Sequence, residues 1–243
     1  MFILKIGGKI LDDSVKLQAA LADFAAISSP KILVHGGGKR ANELCPKLGI
    51  MPQMIDGRRI TDAATLEVVT MVYAGLLNKN VVSTLQALGC NALGLSGADA
   101  NVIRARKRPV QHIDYGFAGD VVEVNTDLIK MLLQAGITPV LCSITHDKQG
   151  QLLNTNADTI ATSVASALAE QEAVHLQYHF EKRGVLTDLT DETTCLSTLN
   201  HEDYERYQQE GVIYEGMIPK LDNAFAARQA GVQTVKIGQT QIL

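Results

Sequence analysis

A chain of 243 residues with 46% hydrophobic content has ample material for one large α/β domain or two small ones. Its formal net charge of −4 excludes the broad basic face of a general nucleic-acid binder, Lys5 interrupts an opening run too short for a secretory leader, and no stretch approaches membrane-spanning length. Cys45, Cys90, Cys142 and Cys195 stand far apart with no C-x-x-C, which argues against a disulfide framework or zinc knuckle and fits a reducing cytoplasm.

In chain order, residues 2–6 form an apolar strand that runs into Gly7, Gly8 and Lys9 and carries Lys5 within it. Lysine is seldom buried without an anionic partner. Residues 17–27 have apolar positions at helical spacing, and Ser28-Ser29-Pro30 stops that helix. The stretch from Pro30 to Leu44 organises the rest: a buried parallel strand, then Gly36, Gly37 and Gly38, then a helix. Backbone without side chains can approach a ligand closely, and a helix start adds unpaired N–H groups, so this is a site for phosphate, the alternative being a plain strand-to-helix turn, which glycines also mark. Neither glycine loop fits G-x-x-x-x-G-K-[ST] or G-x-G-x-x-G, so spacing alone yields anion binding and no reaction.

Residues 53–60 read as a hairpin turning at Asp56-Gly57, with Arg58 and Arg59 at its exit. Thr61 or Asp62 caps a helix over 63–77 whose apolar residues occupy more than one face, for which either a subunit contact or burial within one chain accounts. A separate helix over 81–88, a strand at 92–95 and a polar turn, Ser96 to Asp99, suited to ligand contact follow. Residues 102–106 and 119–124 are strands of an excursion, and the cluster Arg104, Arg106, Lys107 and Arg108 reads as a solvated hairpin, since no aromatics interleave there as an RNA patch requires. Asn125-Thr126 caps a helix ending at Gly136, and 138–144 is another buried strand.

Asn154 and Asn156 precede a helix with Asp158 in its first turn, where an acid serves the helix dipole or a site. His175 and His179 fall on a strand and form no helical ligand pair. Residues 180–186 make a charged turn and 188–192 a solvated acidic loop, before a surface helix over 201–210. Gly216-Met217-Ile218-Pro219-Lys220 opens a last helix that Gly231 ends, and 234–237 closes the sheet. Alternating strands and helices predict a three-layer αβα sandwich around a central, mainly parallel sheet, with ligands at the carboxyl ends of the strands.

Lys-Ile-Gly-Gly at 5–8, His-Gly-Gly-Gly at 35–38, Gly-Arg-Arg-Ile-Thr at 57–61, Asn-Thr-Asn-Ala-Asp at 154–158 and Gly-Met-Ile-Pro-Lys at 216–220 occur in the order found in the amino acid kinase family, which the whole chain resembles. The motifs look most like those of members that phosphorylate an N-acylated glutamate. The resemblance implies phosphoryl transfer from ATP to the side-chain carboxylate of N-acetyl- or N-succinyl-L-glutamate, giving an acyl phosphate in arginine biosynthesis. It implies an acyl-amino-acid lobe over 1–170 and a nucleotide lobe over 171–243. Lys5 and Lys220 would stabilise the transferring charge, Asp158 would orient both lysines, and Gly7, Gly8, Gly37 and Gly38 would hold phosphate oxygens. Arg59 and Asn154 would bind the acyl-amino acid, and Mg2+ would ride on ATP with no protein metal ligand. A cytoplasmic homodimer paired near helix 63–77 and insensitive to arginine is expected, because inhibited relatives carry an extra N-terminal helix that links dimers. Where most members have Thr/Ser-Asp-Val before Gly-Val-Leu, this chain has Tyr178-His179-Phe180-Glu181-Lys182-Arg183 before Gly184, as in a variant bacterial subgroup. A kinase of another small acid, or a non-catalytic nucleotide or metabolite sensor, is the alternative.

Overall fold

The computed structural model describes residues 1–55, 57–188, 190–213 and 216–243, so Asp56 of the expected hairpin turn and Leu189 of the acidic loop lie outside it. The strands in chain order are Phe2–Ile6 (β1), Lys31–His35 (β2), Gln53–Ile55 (β3), Arg58–Ile60 (β4), Ala92–Leu95 (β5), Ile103–Lys107 (β6), Gly119–Val124 (β7), Thr138–Leu141 (β8), Ile144–His146 (β9), Leu152–Asn154 (β10), His175–His179 (β11), Thr198–Leu199 (β12), Thr234–Ile237 (β13) and Thr240–Ile242 (β14). The helices are Gly8–Leu11 (α1), Ser14–Ala26 (α2), Gly38–Leu44 (α3), Ala63–Thr70 (α4), Asn78–Ala87 (α5), Thr126–Gln134 (α6), Ala157–Ala169 (α7), His201–Gln209 (α8) and Met217–Gln229 (α9).

Eight strands form one sheet in the order β12-β14-β13-β11-β1-β2-β8-β5, parallel throughout except where β14 runs against β13. The two glycine-terminated strands sit in its middle, Lys5 opposite Val34 and Ile6 opposite His35. Side chains of a strand alternate between faces, and the core divides accordingly. Ile3, Ile32 and Val34 pack under α6, α7, α8 and α9, whereas Leu4, Ile6 and Leu33 pack under α1, α2 and α5. The expected three-layer sandwich is therefore present. Lys5 shares the face of Ile3 and so points toward α7.

Local capping explains several helix starts. Asp62 accepts from Thr65 N at 2.7 Å, Asn125 from Leu128 N at 3.1 Å, and Asn156 from Asp158 N at 2.7 Å. The expected helix over 63–77 does not stop there. It continues without a break through a π-helical stretch, Met71–Leu77, into α5, so the separate helix expected at 81–88 is the end of one long element. Its inner face (Leu66, Val69, Val72, Tyr73) joins Ala41, Cys45 and Ile144 in a third apolar cluster, while Met71 and Leu76 stay exposed.

The single strand expected over 138–144 is two strands. β8 belongs to the large sheet, and after Cys142 and Ser143 the chain leaves it to form β9 in a second sheet of order β10-β9-β6-β7. Ser143 marks the departure, its hydroxyl donating to His35 O at 3.0 Å while its carbonyl accepts from Thr155 N at 3.0 Å. Residues of this small sheet and of the β3-β4 hairpin line one cavity with the glycines that follow β1 and β2. No helix among the described residues is long and apolar enough to cross a membrane.

Candidate active site

The strand alternation that aims Lys5 at α7 brings it to Asp158, in the first turn of that helix. Lys5 Nζ lies 2.6 Å from Asp158 Oδ1, and Lys220 Nζ, from the first turn of α9, lies 3.1 Å from Asp158 Oδ2. All three are largely buried, with side chains 9%, 14% and 13% exposed for Lys5, Asp158 and Lys220. Burial holds the Lys5 ammonium below the usual lysine value, with the Asp158 carboxylate pulling it partway back. Burial also opposes ionisation of Asp158, but the two lysines overcome it and bring the carboxyl down to about 2. Asp158 is thus ionised at neutral pH and occupied by cations, an orienting group and not a proton acceptor.

Two cavities meet at this triad. One, about 220 Å³, is lined by Gly36, Gly37, Arg59, Tyr73, Arg108 and Asn154 among others. The other, about 540 Å³, carries Gly7, Lys9, Lys39, Glu181 and Lys182 together with an apolar wall of Phe180, Val185, Leu186, Val212, Ile213 and Met217. Lys5, Gly8 and Gly38 line both. A small anionic group in the first and a larger, partly apolar molecule in the second would face one another across the lysines.

The glycine loops differ in what they offer. Gly7 donates its N–H to His179 O at 2.8 Å and a Cβ on it would come 3.3 Å from Phe180 Cβ, so it closes against the neighbouring strand; a Cβ on Gly8 would meet nothing within 4 Å. At Gly37 the requirement is close approach, since a Cβ there would lie 2.5 Å from Leu77 Cδ1 and 2.7 Å from Tyr73 Cδ1. The π-helical stretch that carries both residues is a device often found at functional sites. His35, fully buried, ties this loop to the same helix: Nδ1–H donates to Gly36 O at 2.8 Å and Nε2 accepts from Asn78 Nδ2 at 3.1 Å. Burial pushes its pKa down to about 4, so the ring is neutral.

Arg59 is 7% exposed and donates from Nη2 to Gly38 O at 2.9 Å, while its buried Nη1 has no partner. A buried, unpartnered guanidinium nitrogen in the wall of a cavity is a demand for an acceptor. Asn154 Nδ2 donates to Thr61 Oγ1 at 3.0 Å, and Thr61 Oγ1 donates to Arg59 O at 3.2 Å, so Asn154 and Arg59 are joined through one hydroxyl.

The structure brings all nine sequence-derived residues, Lys5, Gly7, Gly8, Gly37, Gly38, Arg59, Asn154, Asp158 and Lys220, to the walls of these two cavities. It does not bring the Ser96 to Asp99 turn there. Asp99 folds back on Ser96 N at 2.6 Å and Ser96 Oγ at 2.8 Å, and Gly97 is wedged against Ile103 and Thr145, so the expected ligand contact is replaced by packing between sheets. The excursion is the expected hairpin, with Arg104 paired to Glu123, but Arg108 was missed as a site residue. Its guanidinium reaches Asp120 Oδ1 from Nη2 at 2.5 Å and Nε at 2.9 Å and lines the smaller cavity. Nothing local sets it apart from Arg104 or Arg106. In the variant segment Glu181 pairs with Lys9 at 2.7 Å. Among the described residues no three His, Cys, Asp or Glu side chains gather as for a metal ion.

The amino acid kinase family profile matches residues 1–239. An acetylglutamate kinase of Parabacteroides distasonis is 54% identical over 98% of this chain and 94% of its own, and one of Methanopyrus kandleri is 38% identical over 98% and 94%. Among solved structures, smu.665 from Streptococcus mutans UA159 superposes with a TM-score of 0.85 at 29% identity, covering 99% of this chain and 97% of that one. Giardia carbamate kinase, at 12% identity and a TM-score of 0.70 over 100% and 98% of the two chains, shares the fold. With the two cavities meeting at a Lys-Asp-Lys triad, these matches lead to one conclusion: the chain belongs to the amino acid kinase family.

Proposed function

We propose that this enzyme transfers the γ-phosphoryl group of ATP to the side-chain carboxylate of N-acetyl-L-glutamate, giving an acyl phosphate and ADP, as a step of arginine biosynthesis. The observation that carries the reading is the Lys5–Asp158–Lys220 triad at the shared wall of two cavities, with the unpartnered Arg59 Nη1 in the smaller one. Full-length similarity to acetylglutamate kinases supports the same substrate.

Both reactants are anions, so the catalyst has to align them and neutralise charge on the group in flight, which positioning and preorganised cations supply. The acceptor lies in the smaller cavity of an acyl-amino-acid lobe, residues 1–170, its α-carboxylate on Arg59 and its amide on Asn154. The nucleotide lies in the larger cavity, against residues 171–243 and the glycine loops, with Gly8, Gly37 and Gly38 toward the phosphates and Gly7 setting the loop against β11. Lys5 and Lys220 flank the transferring group and Asp158 keeps them apart and in place. The acceptor carboxylate is already ionised at neutral pH, so no general base is needed. Asp158 is taken by two lysines and Glu181 by Lys9, so Mg2+ enters on the phosphates of ATP, without a cage of protein carboxylates.

The four cysteines are unpaired, which suits the cytoplasm, and the exposed apolar Met71 and Leu76 on the long helix suit a two-fold contact in a homodimer. A coupled ADP-release assay with N-acetyl-L-glutamate, N-succinyl-L-glutamate, glutamate, aspartate and carbamate tests the function. Turnover should be confined to N-acyl glutamates. Preference for another acid, or binding of ATP and acylglutamate without turnover, would refute it, and light scattering at the monomer mass would refute the dimer.

A further inference from the structure

The segment from Tyr178 to Arg183 supplies something the triad alone does not. Lys220 Nζ sits 5.6 Å from the ring centroid of Phe180 and 5.9 Å from that of Tyr178, both within the range in which a cation is held by an aromatic face. Its third neighbour is Asp158 Oδ2 at 3.1 Å. The ammonium, on a side chain 13% exposed, is thus confined by one carboxylate and two rings. Tyr178 is itself immobilised, fully buried with its hydroxyl 2.6 Å from Thr162 Oγ1.

Phe180 is tethered differently. It follows the last residues of β11, its Cβ rests against the Gly7 position, and the next residue, Glu181, pairs at 2.7 Å with Lys9, which directly follows the same glycine loop. We infer that Phe180 is a positioning residue for phosphoryl transfer: its ring holds the Lys220 ammonium at the junction of the two cavities, where the transferring phosphoryl group is met. The inference rests on the function proposed above.

A flexible lysine stem has many rotamers, and an ammonium held by Asp158 alone could swing about that single contact. Two ring faces remove that freedom before substrate arrives, and such preorganisation counts in the transition state. The competing role for Phe180 is a wall for the base or sugar of the nucleotide, since it also lines the larger cavity. The two roles separate kinetically. Holding Lys220 affects kcat, because its charge matters most when charge develops on the phosphoryl group; a wall for the nucleotide affects KM for ATP.

The experiment compares Phe180→Leu and Phe180→Tyr with the wild type by steady-state kinetics. Leucine keeps the apolar bulk without a π face; tyrosine keeps the face. Expected are a fall in kcat of about tenfold for Phe180→Leu, KM for ATP within twofold of wild type, and near-normal kcat for Phe180→Tyr, with melting temperatures unchanged. A leucine variant with wild-type kcat, a rise in KM for ATP at unchanged kcat, or a tyrosine variant as slow as leucine would each overturn the inference. A wild type that phosphorylates another acid and not N-acyl glutamates would defeat the functional reading alone, and the same comparison would then be made on the accepted acid.

Discussion

Lys5 Nζ lies 2.6 Å from Asp158 Oδ1, a contact made by a strand at one end of the chain and a helix begun some 150 residues later. Removing the carboxylate leaves a buried ammonium without its counter-charge, which typically costs about 3–5 kcal/mol. Asp158→Asn should therefore lower both urea stability and kcat, the latter by orders of magnitude, since Lys5 and Lys220 lose their common anchor. A variant with wild-type kcat would remove Asp158 from the mechanism.

Lys220→Ala should lower kcat by orders of magnitude with a much smaller change in either KM, because a charge on the moving phosphoryl group is felt chiefly in the transition state. Initial-rate kinetics over both substrates measures this. A near-normal kcat would end the assignment.

Arg59→Lys keeps the charge but not the planar fork, and Nη1 is the nitrogen still lacking an acceptor. KM for the acyl-amino acid should rise about tenfold or more, with KM for ATP little changed. Equal effects on both would place Arg59 outside the acceptor pocket.

Gly37→Ala would drive a methyl to within 2.5 Å of Leu77 Cδ1 and 2.7 Å of Tyr73 Cδ1. Overpacking of this kind costs about 1–3 kcal/mol, and because Tyr73 lines the same cavity as Arg59 the acceptor KM should rise with it. Gly8→Ala, whose methyl meets nothing within 4 Å, should leave the melting temperature unchanged. Calorimetry on the pair checks the contrast.

His35 gives a pH dependence of defined sign. Its pKa falls from 6.5 to about 4 on folding because burial disfavours the cation. The unfolded chain binds the extra proton first, so the stabilisation is complete above pH 6.5 and is lost as pH falls toward 4, amounting to about 3 kcal/mol at most. Asp158, down from 3.8 to about 2, acts in a lower window: its contribution is present above pH 3.8 and disappears as pH falls through 2. Urea unfolding between pH 7 and 4.5 should show declining stability in the wild type and a flatter profile in His35→Gln.

Much of this was legible in the chain because it is written locally. An apolar run ending in glycines is a buried strand meeting a ligand loop wherever it occurs, and Asp62, Asn125 and Asn156 cap helices through neighbours two or three residues away. The alternation of strands and helices was enough for the layers. Even Lys5 announced a partner, since a lysine inside a buried strand needs one.

Which partner was a matter of topology. That β1 lies between β2 and β11, that Lys5 shares the face of Ile3, and that α7 and α9 deliver Asp158 and Lys220 to one point all depend on long-range pairing that no local window contains. The same holds for what was misread. The helix from Ala63 keeps going to Ala87 because Tyr73 and Leu77 pack on Gly37, and 138–144 divides between two sheets because Ser143 is held by His35 and Thr155. Arg108 enters the cavity because Asp120, across the hairpin, fixes its guanidinium, and Phe180 faces Lys220 because β11 ends beside α9. Composition and spacing specify which segments fold as strands, loops and helices, since those preferences act over a few residues. The charges that meet, and the rings that hold them, follow from burial and pairing across the whole chain.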